Sequence, residues 1–121
     1  MRICVITDDA ELRDAALVGF HPSDEAEFFA DWQKALDSCD GCDLMFVDML
    51  TTLLEPHKIE GYERFAEAKM SHPIASEIPL VLISPPTEYE LDFIAGYPNF
   101  LIGNIRRPIT EKIFRRASTW V

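Results

Sequence analysis

Four short apolar runs punctuate the chain: Ile3 to Ile6, Leu44 to Val47, Leu80 to Ile83 and Phe100 to Ile102. Each is continuous rather than alternating, the pattern of strands covered on both faces. Between them the apolar positions change to helical spacing. From Asp24 to Ser38, residues Ala26, Phe28, Phe29, Trp32, Ala35 and Leu36 draw an apolar stripe with acids opposite, which predicts one helix. Ser23 or Asp24 can cap that helix, and Gly41 lets the chain turn after it. Ile59 to Met70 predicts another helix, with Tyr62, Phe65, Ala66 and Lys69 recurring on one side. A further helix starts at Thr87, where Glu88 and Glu90 suit the positive end of a helix dipole. The last runs from Thr110 to Trp120, with Ile113, Phe114 and Ala117 inward. Near the N-terminus, Asp9 to Leu17 predicts the first helix and Val18 to His21 a short strand.

Strands alternating with helices imply a mostly parallel sheet with helices on both faces, a three-layer doubly wound α/β fold. Residues 1–121 form one domain on this reading, with no repeat, linker or low-complexity segment. The 48% of hydrophobic and 26% of charged residues fit a globular chain long enough to fold without disulfides or a structural metal.

Charge narrows the partners. Lysine and arginine number 11 against 21 aspartates and glutamates, a formal charge of -10 with a pI near 4.6. Such a surface repels nucleic acid and anionic membranes, so neither is an expected partner. No apolar run approaches the roughly 20 residues of a membrane-spanning helix, and the opening residues lack the features of a signal peptide. The expected location is the cytoplasm, with Cys4, Cys39 and Cys42 reduced.

Ligands of such sheets bind beyond the carboxyl ends of the strands. Those ends read Thr7-Asp8-Asp9, then Asp48, then Ser84-Pro85-Pro86, then Arg106-Arg107-Pro108. Converging carboxylates make a hard oxygen site suited to Mg²⁺, and a neighbouring hydroxyl and cation suit a phosphoryl group. No glycine-rich phosphate loop accompanies them, so nucleotide binding has no support.

In type and order these residues resemble the receiver domain of two-component response regulators, over the whole chain. The resemblance implies a five-stranded parallel sheet of flavodoxin-like topology. It places Asp48 at the phosphoacceptor position, Ser84 at the hydroxyl that recognises the phosphoryl group, and Arg107-Pro108-Ile109 at the family's Lys-Pro-Phe, where the peptide before proline is usually cis. It makes Asp8, Asp9 and Asp48 the candidate Mg²⁺ ligands. Partners in the family, a histidine kinase or an effector, commonly use the face of its fourth helix, fifth strand and fifth helix, here Thr87 to Tyr97 and Asn104 to Arg116. Homodimerisation stays open.

Departures from the family pattern are as informative. Aligning Leu12 and Arg13 puts Thr7 and Asp8 on the acidic pair and loses one acid; sliding one residue keeps Asp8 and Asp9 but spoils that fit, so the first register is favoured, and Asp8 belongs to the site in either. Arg107 replaces a lysine with a larger, planar, forked cation, and Asn104 stands where the family has an aromatic switch residue. Thr52 replaces a proline, in a long Leu50 to Ile59 connection that holds Glu55-Pro56-His57. These changes favour an atypical receiver, a pseudo-receiver that signals by protein contact and holds at most a weak Mg²⁺ site, with Arg107 paired to Asp48 or Asp8 in place of a bound cation. With no output segment in the chain, output is expected through another protein. The alternative is a competent Mg²⁺-dependent phospho-receiver using Asp48. A third reading, a redox protein built on Cys39-Asp40-Gly41-Cys42, is disfavoured because the pair follows a helix instead of opening one. His21, His57 and His72 are too dispersed to complete a zinc site.

Overall fold

The computed structural model describes residues 1–55, 58–85 and 100–121. Five strands, β1 (Arg2–Ile6), β2 (Glu25–Phe29), β3 (Leu44–Asp48), β4 (Leu80–Ser84) and β5 (Gly103–Arg106), form one sheet in the order β2-β1-β3-β4-β5. Every pairing is parallel. The order reverses at β1, so the crevice between the carboxyl ends of β1 and β3 is the topological switch point where such sheets take ligands.

Around the sheet lie α1 (Ala10–Gly19), α2 (Trp32–Asp37), α3 (Met49–Thr52), α4 (Glu60–Ser71) and α5 (Glu111–Ala117), with 3₁₀ turns at Ala75–Glu77 and Ser118–Trp120. The strands feed two cores by alternation. Met45 and Val47 join Leu36, Tyr62 and Phe65 on one face, while Leu44 and Phe46 join Leu12, Ala16 and Phe114 on the other. Both faces of β3 and β4 are therefore dry, which is why these strands read as unbroken apolar runs. Gly41 adopts φ +82 in the turn before β3, a conformation that strains any residue with a Cβ. The peptide Arg107-Pro108 is cis.

Three elements differ from the sequence expectation. The helix foreseen from Asp24 to Ser38 is a strand followed by a short helix, with Asp31 rather than Ser23 or Asp24 as cap through its bond from the Gln33 amide at 2.8 Å. Glu25, Ala26, Glu27 and Phe28 alternate out and in along an edge strand, while Trp32, Ala35 and Leu36 follow helical spacing. Over so few residues the two periods share the same apolar positions. Val18 to His21 is not a strand: α1 runs on to Gly19, and Phe20 folds into the core against Phe46 and Phe114. The last strand is Gly103–Arg106 instead of Phe100 to Ile102. Phe100 and Leu101 pack beneath the sheet, whereas edge strand β5 buries only Ile105 and so carries little apolar signal. The helix expected from Thr87 lies outside the described residues, as do Pro56, His57 and Pro86. No helix among the described residues is long and apolar enough to cross a membrane.

Candidate functional site

Asp48 ends β3 at the switch point and is fully buried. A buried carboxylate must have its charge and lone pairs met, and here two guanidinium nitrogens and a hydroxyl donate to it, with a second hydroxyl alongside. Arg107, just beyond β5, reaches across with both terminal nitrogens: Nη1 donates to Oδ1 at 3.1 Å and Nη2 to Oδ2 at 3.0 Å. The Thr7 hydroxyl donates to Oδ2 at 2.9 Å, and the Thr51 hydroxyl lies 3.3 Å from the same oxygen. Such a two-pronged fork needs a guanidinium; an ammonium has no second arm in that plane.

The two acids after β1 take different positions. Asp9 caps α1, accepting from the amides of Glu11 at 3.0 Å and Leu12 at 3.3 Å, and its other oxygen accepts from Arg107 Nη2 at 2.9 Å. Burial pushes its carboxyl upward, but the Leu12 amide, the Arg107 guanidinium and the Glu11 amide together hold it below the ordinary aspartate range. Asp8 is exposed and accepts from Thr51 Oγ1 at 3.0 Å, while its own amide donates back to that hydroxyl at 3.1 Å. Arg107 thus pairs with Asp48 and Asp9; its expected bond to Asp8 is not made. Burial works against its charge, yet Asp48 first and Asp9 second hold its pKa above the usual arginine value.

Thr7 is buried and links the acids, donating to Asp48 while accepting from the Asp9 amide at 3.1 Å. Ser84 is buried at the end of β4, where its hydroxyl accepts from Asn104 Nδ2 at 3.4 Å instead of meeting Asp48. Among the described residues no three histidine, cysteine or acidic side chains gather as ligands for a metal ion. A Mg²⁺ ion drawing on Asp48 and Asp9 would have to displace Arg107 from both. A cavity of about 250 Å³ lies beside the site, lined by Thr7, Asp8, Asp9, Arg13 and Phe28, with the Arg13 guanidinium 5.2 Å above the Phe28 ring; Asp48 does not line it.

The structure brings Asp48, Asp9 and Arg107 together and leaves Asp8 at the edge, whereas the favoured register puts Thr7 and Asp8 on the acidic pair; Thr51 was not singled out from the sequence. The available signal was its position one helical turn after a strand-ending acid, in a stretch read as loop that forms α3. Gly61 lets α4 pack against this segment, since a Cβ there would collide with the Thr52 carbonyl.

The cysteines lie at the other end of the sheet. Cys39 is buried and its thiol donates to the Leu36 carbonyl at 3.2 Å, with burial raising its pKa. Cys42 is a free thiol that donates to the Leu44 carbonyl at 3.1 Å; a hydrogen bond from the Cys4 thiol outweighs burial and brings its pKa down to about 7.

No family model matches the chain, and no curated protein matches it either. Solved structures do. One is the signal receiver domain of a modulated diguanylate cyclase from Desulfovibrio desulfuricans G20, with a TM-score of 0.66 at 14% identity over 98% of this chain and 90% of that one. A candidate response regulator from Chloroflexus aurantiacus J-10-fl matches with a TM-score of 0.69 at 17% identity, covering 98% and 95%. NtrX from Brucella abortus matches with a TM-score of 0.70 at 20% identity; the chain covers 25% of that protein. These likenesses establish a receiver-type, flavodoxin-like fold.

Proposed function

We propose that this chain is a receiver-type signalling module that works by contact with another protein, with Asp48 held in an internal ion pair instead of serving as a phosphoacceptor. The observation that carries the reading is the Arg107 fork on Asp48, with Thr7 and Thr51 on the same carboxylate. A nucleophilic carboxylate needs an accessible oxygen facing its phosphodonor, and here the carboxylate is buried with the Arg107 guanidinium lying across both oxygens. Metal binding suffers in the same direction, because Arg107 supplies a permanent positive charge where Mg²⁺ would sit. The site therefore holds Mg²⁺ weakly at most. Its partner is a histidine kinase or an effector, met on the face that includes Asn104 to Arg116; the Thr87 to Tyr97 part of that face lies outside the described residues.

An NMR titration with Mg²⁺ and beryllofluoride tests this. Small, non-saturating shifts of the Asp48 and Ser84 amides are expected. Large, saturable shifts at both would instead make the chain a competent phospho-receiver, the reading favoured by Asp48 and Ser84 standing at the ends of paired strands. The double variant Arg107→Lys, Thr7→Asp should bind Mg²⁺ more tightly than the native chain. If it does not, the obstacle lies in the Leu50 to Ile59 connection.

A further inference from the structure

Lys69 is a buried cation far from the Asp48 site. It lies in the last turn of α4 with 3% of its surface exposed, on the stripe shared with Tyr62, Phe65 and Ala66. Its Nζ donates to the Ala75 carbonyl at 2.8 Å and the Ile78 carbonyl at 2.7 Å, and stands 5.6 Å from the centre of the Phe100 ring. Among the described residues no carboxylate pairs with it. Buried ammonium groups ordinarily have such a partner, because carbonyl dipoles do not cancel a full charge.

A cavity of about 330 Å³ reaches this lysine, lined on its apolar side by Met70, Ile78, Pro79, Phe100 and Ile102. Met70 and Ile102 are each 44% exposed, so the cavity opens to solvent. Its size, with apolar walls and the polar side chains of Lys69, Ser76 and Glu77, suits a small organic ligand. The surroundings disfavour an anion: two carbonyl oxygens crowd Nζ, Glu77 also lines the cavity, and the chain carries a charge of -10. A neutral electrophile meets none of these repulsions.

We propose that Lys69 is a carbonyl-reactive amine, the nucleophile of a second site that takes a small, uncharged aldehyde or ketone with an apolar body. The neutral amine has two N–H bonds, which the Ala75 and Ile78 carbonyls occupy, and its lone pair is left for the remaining direction. Burial shifts the ammonium in the needed sense, down to about 8, against the opposing influence of the Cys39 and Cys42 thiols. At pH 7 about a tenth of it is then amine, against roughly one part in 2,500 for an exposed lysine. The reaction balances without oxidant or reductant: the lone pair attacks the carbonyl carbon, the C–N bond forms, oxygen leaves as water, and ammonium plus aldehyde gives iminium plus water. The iminium keeps one N–H, enough for the Ile78 carbonyl, while the Ala75 carbonyl keeps the bond it already accepts from the Ile78 amide at 3.1 Å.

Benzaldehyde with cyanoborohydride tests the proposal on the native chain, since the hydride converts the iminium into a stable secondary amine that peptide mass spectrometry locates. Lys34, Lys58 and Lys112 are exposed and serve as internal references. On the order of tenfold more label is expected at Lys69 than at any of them at pH 7. Equal or lower labelling at Lys69 overturns the proposal. A Lys69→Met variant with native circular dichroism should lose the excess and leave labelling of the other three unchanged; an excess that persists on another residue also overturns it.

Discussion

Arg107 and Lys69 are both cations withdrawn from water, at opposite ends of one sheet. Beyond the carboxyl ends of the strands, Arg107 meets two carboxylates and a fork of charge-assisted bonds. Near the amino ends of β4 and β5, Lys69 meets two carbonyls and an aromatic ring. The first arrangement meets its charge with opposite charge and directed hydrogen bonds. The second tolerates a charge without fixing it, so the proton on Lys69 is the more easily lost. Compensation, more than burial alone, decides whether a buried ionisable group is inert or reactive.

Asp48→Ala separates the two ends most sharply. It strands Arg107 next to Asp9 alone and should cost about 3 kcal/mol, the usual penalty for breaking a buried pair from one side. Urea unfolding measures it, and unchanged or increased stability would show that the fork contributes nothing to the fold.

Of similar size is the pH dependence carried by Lys69. Its pKa is about 8 folded and about 10.5 unfolded, so between those values the unfolded chain binds more protons and stability rises with pH. Subtracting Lys69→Met from native unfolding data should isolate a gain of about 3 kcal/mol across that window, flat below pH 7. A flat difference throughout would mean that Lys69 keeps an ordinary pKa and the contrast with Arg107 disappears.

Asp9→Ala removes both a cap and one partner of Arg107, and about 1 to 2 kcal/mol is expected from the cap. Asp9→Asn keeps a capping oxygen and should recover most of it. Because the folded pKa of Asp9 is depressed, its contribution is present above the unfolded value near 4 and is lost as acidity rises through the folded one. Comparing Asp9→Asn with the native chain at pH 7 and pH 3 reads this directly: the gap should narrow at pH 3.

The smallest effect belongs to Asp8→Asn. Asp8 is exposed and, among the described residues, exchanges hydrogen bonds only with Thr51, so stability should move by less than about 0.5 kcal/mol. A larger loss would mean that Asp8 and Thr51 help to position Asp48.

Strands β1, β3 and β4 were legible because they are buried on both faces and leave unbroken apolar runs, while their order in the sheet came only from the family resemblance. The acids and the arginine at strand ends were legible because polar residues that stop such runs have few other places to sit. Edge strands β2 and β5 were not, since one side faces water and their patterns dilute into helical or loop spacing. The partner of each charge was also beyond the sequence. Arg107 lies 98 residues from Asp9 and 59 from Asp48, and only the packed sheet fixes which oxygens its two arms reach. Thr51 meets Asp48 and Asp8 because α3 forms, against the expectation of a loop. Lys69 already stood on an apolar stripe, a sign of burial that the sequence offered openly. That its charge would face carbonyls and a cavity, and not a carboxylate, depended on where the turn at Ala75–Glu77 and the residues before β4 and β5 came to rest. Local spacing carries periodicity, whereas electrostatic compensation is a property of long-range neighbours, which exist only once the chain has folded.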